Sequence, residues 1–151
     1  MSKIFEIFGD DINNMTIKLL ECADINSQIP SGASIALKPN LVNATRPQKG
    51  ATTHAEILSG VLEYLISKGR KAGDISVIES TGVGGSTKLA ASVCGYSQIL
   101  DRYGVAFYDL RKDKTRPVQS CDLGTEYLNV KGFIYIVIRA QPQPRQLVLL
   151  V

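Results

Sequence analysis

The chain has no tryptophan, a single histidine, two methionines and three cysteines among its 151 residues. Each scarcity removes a class of reading. Cys22, Cys94 and Cys121 are odd in number, lie far apart and form no C-x-x-C, so neither a zinc site nor a disulfide framework is encoded. Cys22 and Cys94 fall among apolar residues of expected helices and read as small buried thiols. No run approaches the roughly 20 apolar residues that span a bilayer. The start "MSKIFEIFG" lacks the apolar core and cleavage site of a signal peptide, which makes the cytoplasm the default compartment. The formal charge is only +3, with no dense basic run and aromatics at 7%, so neither a nucleic acid nor a membrane is an expected partner. Oligomeric state is not encoded.

What remains is an ordinary globular composition, 44% apolar and 21% charged, of a length that suits one domain. Strand and helix signals alternate. "KIFEIF" reads as a strand, and Asp11 caps a helix with Ile12, Met15, Leu19, Leu20 and Ala23 on one face. "IALKPNLV" suits a buried strand until Pro39 withdraws a ladder donor. Thr53 and Glu56 have the spacing of a capping box before the stripe Ile57, Leu58, Val61, Leu62, Leu65 and Ile66, and Gly69 supplies a left-handed stop. "DISVIE", a glycine turn, a helix from about Ser86 to Cys94, "SQILDRYG" with Ser97 as its cap, and the strand "VAFYDL" follow. Strands separated by helices require parallel pairing, so the expected fold is a layered α/β domain with a mostly parallel sheet and helices on its faces. Beyond Leu110 the chain is polar and turn-rich, then "TEYLNVKGF" reads as a strand and bend and "IYIVIRA" as a strand. The end, "QPQPRQLVLLV", is an apolar run without an evident partner, a candidate exposed edge strand.

Two stretches carry candidate chemistry. In "VIESTGVGGSTK", Gly82, Gly84 and Gly85 admit positive φ and close approach of a ligand, while the N–H groups near Ser86 and Thr87 and the charge of Lys88 favour an anion. A Walker A loop fails because the lysine follows the hydroxyls, and a dinucleotide fingerprint fails because its third glycine position is Thr87. The plain structural alternative is a tight strand-to-helix turn capped by Ser86. In "KPNLV", Lys38 and Asn40 stand at the carboxyl end of a strand, where open parallel sheets place their crevices. Thr53 and His54 open the next helix and face the same crevice. His54 is the only imidazole available for proton transfer, or else a surface residue, and Thr53 is a helix cap as readily as a ligand. Glu79 and Ser80 end the following strand; Glu79 serves the crevice or bonds backbone donors of the turn. No nucleophile elbow and no metal-ligand cluster is present.

At "ALKPNLV", "GATTHAEILSGVLEYLISKG", "VIESTGVGG" and "GYSQILDRYGVAFYDL" the chain resembles the family called domain of unknown function 362, from about Lys3 to Phe133. The resemblance implies an α/β domain with Lys38, Asn40, Thr53, His54 and the Glu79–Gly85 turn at family motif positions. It implies redox association too, because many members carry a ferredoxin-like iron–sulfur segment further on. The chain has no cysteine cluster for such a centre, which takes about four thiolates, so no cofactor is expected within it. "GFIYIVIRAQPQPRQLVLLV" departs from the family's continuation. The expectation is therefore a family-like domain over residues 1–133 and a divergent tail over 134–151, an N-terminal portion that is truncated or frame-shifted near its end and an incomplete domain. The reading is a small-anion or cofactor-binding domain, with Lys38 and His54 as candidate catalytic groups in a complete enzyme. The alternatives are a non-catalytic module that docks a partner on its C-terminal strand, or an inactive fragment. A P-loop phosphotransferase is disfavoured by motif order.

Overall fold

The computed structural model, which describes residues 4–82, 84–112, 137–140 and 146–150, runs β1 (Ile4–Phe8), α1 (Ile12–Cys22), α2 (Ile25–Gln28), β2 (Ile35–Leu37), α3 (Ala55–Ser67), β3 (Ile75–Glu79), α4 (Thr87–Val93), α5 (Tyr96–Tyr103), β4 (Ala106–Asp109), β5 (Val137–Ala140) and β6 (Gln146–Leu150). Cys121, Val83 and the "TEYLNVKGF" segment lie outside the described residues. The alternation read from sequence is realised as a parallel sheet in the order β2-β3-β4. Leu37 pairs with Val77 and Glu79 with Asp109, so the carboxyl ends of the strands stand side by side. The fold is α/β. β3 is central and buries Ile75, Val77 and Glu79. β2 is short because Pro39 has no N–H to continue the ladder; the chain then makes one bridge, Leu41 to Thr52.

A second sheet accompanies the parallel one. β1 pairs antiparallel with β6, and β6 with β5, in a separate three-stranded sheet. β1 finds a full five-residue partner in β6 and so stays out of the parallel ladder. The terminal apolar run is thus the centre of a sheet, bonded along both edges, and not the exposed edge its sequence suggests.

α1 begins where Asp11 accepts from the Asn14 N–H at 3.0 Å, as its sequence predicts, and buries Met15, Thr16, Leu19 and Leu20. Cys22, expected to be buried, is exposed: at the end of α1 the core side is filled by Ala23 and Ile25. Cys94 is buried as expected. α3 buries Ile57, Leu58, Leu62 and Leu65 and leaves Ile66 exposed, so its apolar stripe is narrower than the sequence suggests. The capping box does not form. The cap is His54, with no side-chain bond to the helix, because the Thr53 hydroxyl is engaged by the Asn40 N–H. α3 ends as read, with Gly69 at φ +85° and the Arg70 N–H returning to Leu65 O. α5 starts two residues earlier than expected, capped by Gly95 and not by Ser97. No helix among the described residues is long and apolar enough to cross a membrane.

Candidate functional site

Glu79 organises the carboxyl edge of the sheet. The residue is 2% exposed, yet both carboxylate oxygens are engaged. Lys38 Nζ donates to Oε2 at 2.9 Å and to Oε1 at 3.1 Å, the Leu41 N–H to Oε2 at 3.2 Å, and the Ser80 N–H to Oε1 at 2.7 Å. Glu79 therefore bonds backbone donors, as one of its two sequence readings has it, and it also holds Lys38. The pair is polarised, since the Lys38 side chain is 55% exposed and that of Glu79 3%. A solute arriving from water meets the ammonium first.

The loop after β2 is fixed as firmly. Asn40 and Thr53 exchange bonds, Asn40 N–H to Thr53 Oγ1 and Thr53 N–H to Asn40 O, each at 2.9 Å, while Asn40 Nδ2 donates to Ala51 O at 3.0 Å. Buried Tyr96 donates its phenol to Thr53 O at 3.0 Å. Burial, helped by the neighbouring Cys94, raises that phenol far above its ordinary pKa, so it remains a donor. Asn40 and Thr53 thus spend these groups on each other and on the loop. His54 follows directly, its ring Nδ1 at 3.8 Å from Glu56 Oε2, too far for a hydrogen bond.

The glycine turn closes over this loop: the Gly82 N–H donates to Val42 O at 3.1 Å. Gly84 takes φ +78°, which glycine adopts without strain. Ser86 caps α4 as expected, accepting from the Leu89 N–H at 3.3 Å. The N–H groups of Ser80, Thr81, Gly82 and Gly85 are all bonded within the protein, to Glu79, Thr87, Val42 and Gly82 respectively. Much of the turn's donor capacity is therefore structural. Lys88 lines, with Ile78, Asp101, Phe107, Tyr108 and Asp109, a cleft of about 880 Å3 to which neither Lys38 nor Asn40 contributes.

Sequence reasoning missed Asp109 and Arg111. The Arg111 guanidinium forks onto Asp109, Nε to Oδ1 at 3.1 Å and Nη2 to Oδ2 at 2.9 Å, and its Nη1 reaches Gly85 O at 2.6 Å. The end of β4 is thereby tied to the glycine turn. The only available signal was the spacing in "YDLRK", a carboxylate and a guanidinium two residues apart at a strand end.

Arg111, with a smaller contribution from the Thr87 hydroxyl, holds the Asp109 carboxyl down at about 2, against partial burial that pushes it up. Because the folded pKa lies below that of the unfolded chain, the contribution to stability is complete above about pH 4 and disappears as pH falls through about 2. Side-chain carbonyl NMR should therefore show Asp109 titrating near pH 2 in the wild type and close to the ordinary aspartate value in Arg111→Ala. A midpoint near 4 in the wild type would contradict the fork.

The described cysteines do not fit iron–sulfur ligation. Cys22 is exposed on α1, while the Cys94 thiol is buried and donates to Thr45 O at 3.3 Å. Among the described residues no group of three or more His, Cys, Asp or Glu side chains stands together as metal ligands do. No curated protein and no solved structure gives a significant match. The family model described as Domain of unknown function (DUF362) matches residues 35–136, well over half of the chain and the whole of the segment that builds the strand-end cluster. The chain belongs to the DUF362 family.

Proposed function

We propose that this domain binds a small anionic ligand at the carboxyl ends of β2 and β3, with Lys38 as the cation that meets it. The observation carrying this reading is the polarised Lys38–Glu79 pair: a half-exposed ammonium anchored on a buried carboxylate, between a braced loop and the glycine turn. Such anchoring fixes a long, flexible side chain before the ligand arrives and so reduces the ordering cost of binding. The site is at the strand ends of a parallel sheet, where crevices of α/β proteins hold their ligands. Asn40 orients the loop. His54 stands at its end and is the group available for proton transfer in a complete enzyme. The association with redox chemistry belongs to the same reading, as does a reducing, cytoplasmic setting; two unbridged thiols suit that compartment.

Isothermal titration of the full chain with inorganic phosphate, nucleotides and carboxylates tests the reading. Lys38→Ala should weaken the anion that binds by about tenfold or more, the value of one charge-assisted hydrogen bond. Absence of binding by the folded wild type, or affinity unchanged in Lys38→Ala, would sink it.

A further inference from the structure

Arg111 has a geometry that its engagement with Asp109 does not exhaust. The fork uses Nε–H and one N–H of Nη2, and Gly85 O takes one N–H of Nη1. A guanidinium carries a second N–H on each terminal nitrogen. Among the described residues these have no partner, and the side chain is 40% exposed. Asp109, whose side chain is only 13% exposed, holds one edge of the plane, so the free edge is presented in a fixed orientation beside the glycine turn. One N–H on each terminal nitrogen is thus left to donate to two oxygens of one oxyanion.

We infer that Arg111 is the specificity-determining residue of the strand-end site, reading the ligand as an oxyanion with two adjacent oxygens while Asp109 orients it. This inference rests on the anion-binding reading above. It reassigns the cation of the glycine turn, because Arg111 touches Gly85 directly whereas Lys88 only lines the neighbouring cleft that Asp109 also borders. It also predicts the class of ligand. A carboxylate and a phosphate both offer the paired oxygens, whereas chloride offers a single centre and gains nothing from the fork. Asp109 and Arg111 bear equal and opposite charges, as do Glu79 and Lys38, so the cluster adds no large net positive field. Recognition rests on direction more than on charge, which favours an ion whose geometry fits over one that is merely highly charged.

The test is titration of the full chain with inorganic phosphate, acetate and chloride, read by calorimetry and by the 15N signal of the Arg111 Nε–H. Phosphate or acetate should bind in preference to chloride and shift the Arg111 signal; which of the two binds more tightly identifies the source of the oxyanion. Arg111→Lys keeps the charge but loses the fork and should weaken binding about tenfold or more, while Lys88→Ala should change it by less than about twofold. If the wild type binds neither oxyanion, the anion-binding reading itself fails. If an oxyanion binds but Arg111→Lys leaves its affinity intact, Lys88→Ala weakens it equally, or the Arg111 signal in the wild type does not move, only the assignment to Arg111 is overturned. The wild-type signal decides the matter even if the variant perturbs the turn.

Discussion

Glu79→Ala should destabilise the domain by about 3 kcal/mol or more in urea unfolding, through the loss of a buried acceptor that serves several donors. The carboxylate receives the Leu41 and Ser80 N–H groups as well as Lys38 Nζ. Once it is removed, Leu41, itself fully buried, leaves a backbone donor without its acceptor, and an unsatisfied buried donor costs about 1–3 kcal/mol. The Ser80 donor adds a comparable amount where water cannot reach it. Lys38 adds little, because its half-exposed ammonium can rehydrate. Glu79→Gln separates these contributions. Its amide oxygen can satisfy one backbone N–H, but its NH2 then faces another donor, so the loss should be about half that of alanine. A loss below about 1 kcal/mol for Glu79→Ala would show that the loop after β2 and the glycine turn are held by something else. The same carboxylate anchors the cation of the proposed site, so stability and ligand affinity should fall together in this variant.

How much of this could be read from the sequence depends on the range of the interaction. Asp11, Ser86 and Gly69 act on neighbours within a few residues, and all three take the expected positions. The parallel order of β2, β3 and β4 follows from alternation, since each crossover helix returns the chain to the same end. The failures are places where a distant partner claimed a local group. Thr53 is a good cap on spacing, but its hydroxyl belongs to Asn40, thirteen residues upstream. β1 reads as any strand, and its antiparallel partner lies at the other end of the chain. Cys22 lies in an apolar context, but Ala23 and Ile25 fill the core beside it. Within the site, Lys38 and Glu79 could be named singly, but only strand register brings them into contact across 41 positions. Arg111 gave almost no signal, because an exposed arginine after a strand is ordinary until the turn it reaches is known.

Gly60→Ala shows the same conflict in its sharpest form. By helix propensity the substitution should stabilise α3 by about 1 kcal/mol, since Gly60 sits inside a regular helix. The structure predicts the opposite sign. A Cβ at Gly60 would stand 2.7 Å from Asn13 O and 2.8 Å from Thr16 Cβ, both on α1. The first obstacle is backbone and the second a branch point, so neither can rotate away and α1 must shift as a body. That shift strains the Asn13 Nδ2 to Ser59 Oγ bond of 3.0 Å and loosens the packing of Met15, Leu19 and Leu20 against the same core. Overpacking of this kind costs about 1–3 kcal/mol, and a rigid backbone obstacle places it at the upper end. The expected net result is a loss of about 2 kcal/mol in equilibrium unfolding, with the propensity gain already included. Gly73→Ala is the matched control, because a Cβ there meets nothing within 4 Å and its backbone is not in the positive-φ region. It should be neutral or slightly stabilising through the unfolded chain. If Gly60→Ala were as stable as Gly73→Ala, the close crossing of α1 and α3 would be wrong, and with it the position of the helix that carries His54 at its start.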